Sequence, residues 1–143
     1  MKPLLISACL LGTPCRYDQK SKPVAAVEVL KDKYHLLPVC PECMGGLSTP
    51  REPCERVGER VCTKNGKDCT AAYRAGAEAV LALAKAQGCT LALLKARSPS
   101  CGLGEIYDGS FTKTLVPGNG VTAELLLKNG ITVFNEHQTD ALI

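Results

Sequence analysis

Residues 90–102 read TLALLKARSPSCG. An apolar run of strand length, residues 90–94, gives way to turn-forming residues and then to Cys101. A continuous apolar run without polar alternation reads as a strand covered on both faces. Two other runs end the same way. Residues 4–8, LLISA, lead directly into Cys9, and residues 35–39, HLLPV, lead into Cys40. A fourth run, ITVF, occupies residues 131–134. Helical spacing separates the runs: Val24, Val27 and Leu30 in the first segment, residues 70–87 closed by Gly88 in the second, and VTAELLLKNG ending at Gly130 in the third. Strands alternating with helices predict an α/β domain with a small, mostly parallel sheet flanked by helices. The simplest strand order is 2-1-3-4. Between the second and third strands lies an irregular, proline-rich stretch, residues 40–57. The segment RVCTKNGKDCT follows, read as a hairpin insertion turning at Asn65–Gly66. Residues 95–120 read as glycine-rich loop.

The bulk composition narrows the function. A chain of 143 residues suits one domain spanning residues 1–143. The net charge is +3, the basic residues are scattered and aromatics are few, which argues against nucleic acid as a partner. No apolar stretch approaches the roughly 18 residues of a membrane span. The start, MKPLLISACLLG, reads as a first buried strand and not as a signal peptide, so a cytoplasmic protein is expected. Nine cysteines is an odd number and a high one. In a reducing compartment such a set points to a metal or cluster, with the remainder packing as small hydrophobes.

In open parallel sheets, ligands bind beyond the carboxyl ends of the strands, where the strand order reverses. With order 2-1-3, Cys9, Cys40 and Cys101 fall on one sheet edge, on neighbouring strands about 4.8 Å apart. A structural zinc site closes with four ligands. Three thiolates instead suit an iron–sulfur cluster with one iron left open. Other readings stand beside this one. The three cysteines could be buried thiols at strand ends. Cys40 and Cys43 form CPEC, which suits a thiol–disulfide oxidoreductase or, with neighbours, a zinc or iron–sulfur binding module without catalysis. Cys15 lies in the first loop and could face the same cleft. Cys54, Cys62, Cys69 and Cys89 are read as packing residues, Arg51 as structural, and His35 and His137 as incidental. No glycine cluster sits in the strand–GxGxxG–helix context that dinucleotide binding requires.

Taken together, SACLLGTPCRYD, PVCPE followed by GGL and PREP, RSPSCG, IYDG and GVTAELLLKNGI resemble the thiouracil desulfidase family in both wording and order. That resemblance implies a Rossmann-like domain and a 4Fe–4S cluster held by Cys9, Cys40 and Cys101. It implies non-redox removal of sulfur from 2-thiouracil or a related thiolated nucleobase, giving the oxo base and hydrosulfide. It also implies Glu42 as catalytic acid/base and an active-site serine at Ser98 or Ser100. The chain departs from the family pattern at Gln19, where RYD is usually followed by glycine, and at Cys43, an extra thiol beside the site. Arg16, Tyr17 and Asp18 are expected to close over a planar pyrimidine, with Tyr17 stacking and Asp18 accepting from ring N–H groups. Lys95, with Arg97, leaves the third strand near the same edge and is a candidate substrate contact, or else a solvated strand exit.

Overall fold

The computed structural model describes residues 1–12 and 25–143. Cys15, Arg16, Tyr17 and Asp18 therefore lie outside the described residues. The four apolar runs become strands β1 (Lys2–Ser7), β2 (Tyr34–Val39), β5 (Leu91–Leu94) and β8 (Thr132–Asn135) of one parallel sheet, in the order β2-β1-β5-β8. This is the expected 2-1-3-4 order, and the chain is an α/β protein with helices on both sheet faces.

Strand alternation explains why the runs are apolar throughout. Leu4, Ile6 and Leu93 face one side, where they pack with Val27 and Leu30 of helix α1 (Val27–Lys33). Leu5, Ala92 and Leu94 face the other, against Val80, Leu81 and Ala84 of α3 (Thr70–Ala86) and Leu126 of α4 (Val121–Lys128). Successive residues point to opposite faces, so a strand covered on both sides must be apolar at every position. On α3 the buried positions Tyr73, Ala77, Val80, Leu81 and Ala84 form one stripe at helical spacing. Each fully buried Leu or Val contributes about 1.5–3 kcal/mol. Both long helices stop at a glycine with positive φ, Gly88 (62°) and Gly130 (79°). At each, the next amide bonds back into the last turn: Cys89 N to Ala84 O at 2.8 Å and Ile131 N to Leu126 O at 3.1 Å. The chain can then enter β5 and β8 at once.

The connection between β2 and β5 differs from expectation in detail. A four-residue helix α2 (Pro41–Met44) follows Cys40 directly. The hairpin is formed by β3 (Cys54–Val57) and β4 (Arg60–Thr63), turning at Gly58–Glu59. Asn65–Gly66 makes a second, wider turn that carries a single bridge, Cys62 to Asp68. β3 was hidden because it follows prolines and has no apolar run. Residues 95–120, expected to be loop, contain a second hairpin, β6 (Glu105–Tyr107) and β7 (Leu115–Pro117). Among the described residues no helix is long and apolar enough to cross a membrane.

Candidate active site

Helix α1 joins β1 to β2 on one face of the sheet, and the chain then returns across β1 through α3, on the other face, to β5, so the strand order reverses at β1. The crevice that results opens at the carboxyl ends of β1, β2 and β5. Ser7 and Val39 are register partners, and Ile6 pairs with Leu93, so these strand ends are level. Cys9 follows in a 3-10 turn (Ala8–Leu11), Cys40 follows Val39 directly, and Cys101 follows the turn after β5. All three line a single cavity of about 470 Å³. The structure thus brings together the three strand-end thiols.

Local hydrogen bonds fix the turn that carries Cys101. Ser98 Oγ accepts the amides of Ser100 (3.1 Å) and Cys101 (3.0 Å), and Gly102 N donates to Ser98 O at 2.8 Å. The carbonyls of Pro99 and Ser100 then accept the first amides of α4, so the loop caps that helix. Burial pushes the Cys101 thiol up to about 12, against hydrogen bonds from Ser7 and Ser100. The two serines of SPSC have different surroundings. Ser98 lines the cavity, with its Oγ 3.5 Å from Glu42 Oε1. Ser100 is completely buried, its hydroxyl 2.7 Å from that of Thr122.

Glu42 sits on α2, two residues past Cys40, and lines the same cavity. Its Oε2 accepts two N–H groups of Arg51, one from Nε at 2.9 Å and one from Nη2. Arg51 is steered by further bonds from Nη1 to Ser48 O (3.0 Å) and Thr49 Oγ1 (3.1 Å). Its side chain is only 8% exposed and that of Glu42 14%. Burial disfavours the guanidinium charge, but the Glu42 carboxylate more than offsets this and holds Arg51 protonated. Read from sequence as structural, Arg51 is therefore part of the cleft. The only local signal was a basic residue among prolines close behind CPE.

Lys95 lines the cavity, but its Nζ pairs with Glu136 Oε2 at 2.9 Å. Arg97 lines the rim in a left-handed conformation, φ 67°. The far wall comes from residues to which sequence reading gave no site role: Cys54 and Glu55 of β3, Tyr107 of β6, and Phe111 and Lys113 beyond it. Tyr73 closes the back, nearly buried, and burial raises its phenol. Cys54 packs with Val61 and Tyr73, its thiol raised by burial to about 12. The Cys43 thiol adjoins that of Cys40, lies 3.4 Å from Thr49 Oγ1, and is raised mainly by burial, with Cys40 adding to the shift. The helix after Cys40 is a single turn, unlike the long helix a thioredoxin-like CxxC begins.

The donor set can be judged by its chemistry. Among the described residues no three His, Cys, Asp or Glu side chains converge tightly enough for a single metal ion. A cluster spreads its thiolates over separate irons, and so takes ligands set wider apart. Three cysteines on three neighbouring strand ends, facing one cavity, fit that requirement.

A model of the 2-thiouracil desulfurase family matches residues 4–138. The chain belongs to the 2-thiouracil desulfurase family. It is 37% identical to the uncharacterized protein YbbK of Bacillus subtilis (strain 168), over 98% of this chain and 99% of that protein. Among solved structures it is similar to the 4Fe–4S-dependent thiouracil desulfidase TudS, at 47% identity and a TM-score of 0.95, covering 99% of this chain and 95% of that one.

Proposed function

We propose that the chain is a desulfidase that converts 2-thiouracil, or a related thiolated pyrimidine, and water into the oxo base and hydrosulfide. The cofactor is a 4Fe–4S cluster held by Cys9, Cys40 and Cys101. The observation that carries the reading is the shared cavity: the three thiols and Glu42 line one cleft. When bound, such a cluster supplies a soft Lewis acid with one iron not claimed by a cysteine, matched to a thiocarbonyl sulfur.

The chain's own residues supply the rest. Glu42 accepts the proton of a water directed at the thiocarbonyl carbon. Arg51 occupies Oε2, which leaves Oε1 as the oxygen turned toward Ser98 and the water. Ser98 receives two backbone N–H groups on its oxygen, so its own proton is available to Glu42 or to the oxygen developing on the ring carbon. Glu42 then returns the proton to the departing sulfur, so no external reductant is needed. Ser100 is tied to Thr122 inside the protein and acts by shaping the turn. Lys95, paired with Glu136, contributes positive charge to the cavity wall; Arg16, Tyr17 and Asp18 remain proposed substrate contacts from the first loop.

Anaerobically purified chain is expected to carry about four irons and about four acid-labile sulfides and to release hydrosulfide from 2-thiouracil. Glu42→Gln is expected to keep that content while losing about 10²–10⁴-fold in kcat. A loaded wild-type protein inert to thiolated pyrimidines would overturn the reading. Stoichiometric zinc without labile sulfide, even after anaerobic reconstitution, would replace it with a zinc-binding role.

A further inference from the structure

Residues 108–114, DGSFTKT, join β6 to β7 and divide their side chains between two duties. Ser110, Thr112 and Thr114 are tied to one another. Ser110 Oγ lies 2.5 Å from Thr112 Oγ1, and Thr112 Oγ1 2.8 Å from Thr114 Oγ1. Asp108 anchors the row, accepting from Ser110 N at 2.9 Å, and Asp108 N donates to Thr114 O at 2.9 Å to close the loop. The alternate residues, Phe111 and Lys113, line the cavity that holds the three thiols. Both adopt a left-handed backbone, φ 59° and 60°. Bulky side chains rarely occupy that region, which persists only where the surroundings impose it. Here the imposing group reaches across from the other hairpin: Glu55 Oε1 on β3 accepts the amides of Gly109 (2.9 Å) and Phe111 (3.1 Å).

We infer that Phe111 is the stacking surface for the planar ring of the substrate, and that Glu55 is the positioning residue that holds it in the cleft wall. The inference rests on the desulfidase reading and adds the recognition element that reading lacks. A pyrimidine has polar edges and an apolar face. Glu42, Ser98 and the thiols can meet edges, whereas an aromatic ring without a polar tip can meet only the face. Three aromatic residues line the cavity: Tyr73 is 2% exposed and committed to the core, and Tyr107 and Phe111 are both half-buried. Tyr107 carries a polar hydroxyl and belongs to strand β6, whereas Phe111 has only its ring to offer and stands on the connecting loop with a left-handed backbone.

Uracil, the desulfurated product, is the probe. The chain has two phenylalanines, and Phe134, partly buried on β8, packs against the core cluster on the α1 face of the sheet. In cluster-loaded protein carrying labelled phenylalanine, uracil is expected to shift the Phe111 ring resonances and leave those of Phe134 in place. Phe111→Ala is expected to raise the Kd for uracil and the KM for 2-thiouracil about 10-fold, with a much smaller change in kcat and unchanged iron content. Phe111→Tyr, which keeps a ring face, should restore KM. Glu55→Ala should raise KM in the same way. Glu55→Gln, which still accepts both amides, should rescue it. Combining Glu55→Ala with Phe111→Ala should add nothing, because both remove the same contact. If loaded wild type converts 2-thiouracil and Phe111→Ala does so with unchanged KM, the stacking role falls and the desulfidase reading stands. If loaded wild type neither binds uracil nor converts 2-thiouracil, both fall.

Discussion

Cys9, Cys40 and Cys101 stand just beyond the ends of strands packed between helices on both sides, whereas Phe111 and Lys113 stand on a loop held across the cleft by one carboxylate, Glu55. The first wall is fixed by the hydrophobic core, into which Cys9 and Cys101 pack, and by the bonds of Ser98 that hold the turn before Cys101. The second is fixed by a few polar ties between two small hairpins, outside the main sheet. The difference separates two tasks. On the proposed reading, the wall that would bear the ligands shares the stability of the fold, and the wall that would meet the substrate can be retuned without unfolding the molecule.

The largest expected effect follows from that separation. Cys101→Ser should reduce iron and labile sulfide to background, while Phe111→Ala and Glu55→Ala keep the full content. Cys101 is buried with its thiol raised to about 12, so its proton must leave when a metal is bound. Loading should therefore release protons and weaken as the pH is lowered. Loss of the cluster in Glu55→Ala, or its retention in Cys101→Ser, would break the comparison between the walls.

A smaller effect, on stability, tests whether Glu42 belongs to the rigid wall. Gly45 and Gly76 meet where α2 packs against α3. A Cβ on Gly76 would come within 1.9 Å of the Pro41 carbonyl oxygen, and one on Gly45 within 2.0 Å of that of Ala72. Both obstacles are backbone, so the helices must part. Gly76→Ala is expected to cost about 1–3 kcal/mol in urea unfolding and to displace Glu42 along with α2. Its turnover per bound cluster should fall. Normal turnover in the destabilised protein would place Glu42 outside the working site.

The same contrast explains what could be read from the sequence. Leu4–Ile6, Leu36–Leu37 and Leu91–Leu94 announce themselves because burial on two faces demands apolar residues at each position, and Gly88 and Gly130 mark the helix stops. Thiols that follow such runs inherit a predictable place at the sheet edge. The other wall left no such trace. Cys54–Val57 and Glu105–Tyr107 are short strands of two-stranded hairpins, half covered, with prolines or glycines beside them. Arg51 and Glu55 act through partners 9 and 54–56 residues away, Glu42 for one, Gly109 and Phe111 for the other. Such long-range side-chain pairs have no period to detect. Between Ser98 and Ser100 the sequence left an alternative, and the tertiary surroundings separate them: Ser98 lines the cavity beside Glu42, and Ser100 is buried against Thr122.

The smallest expected effect lies where β5 leaves the sheet. Glu136 Oε1 accepts the amide of Ala96 at 2.5 Å, and Oε2 pairs with Lys95 Nζ at 2.9 Å. Burial alone would raise this carboxyl, but the Ala96 amide and the Lys95 ammonium outweigh it and hold it below the ordinary 4.5. A depressed carboxyl stabilises the fold fully above its unfolded value and loses that contribution as the pH falls toward its folded one. Urea unfolding below pH 4.5 should therefore show a loss of stability that Glu136→Gln removes. The clamp holds the exit of β5 just before Ser98, so Glu136→Gln should also loosen the turn that carries Cys101. It lies on the rigid wall, and iron retention at mildly acid pH should fall in Glu136→Gln but not in Glu55→Gln. Equal retention in the two variants would mean that the strand ends hold Cys101 without the clamp.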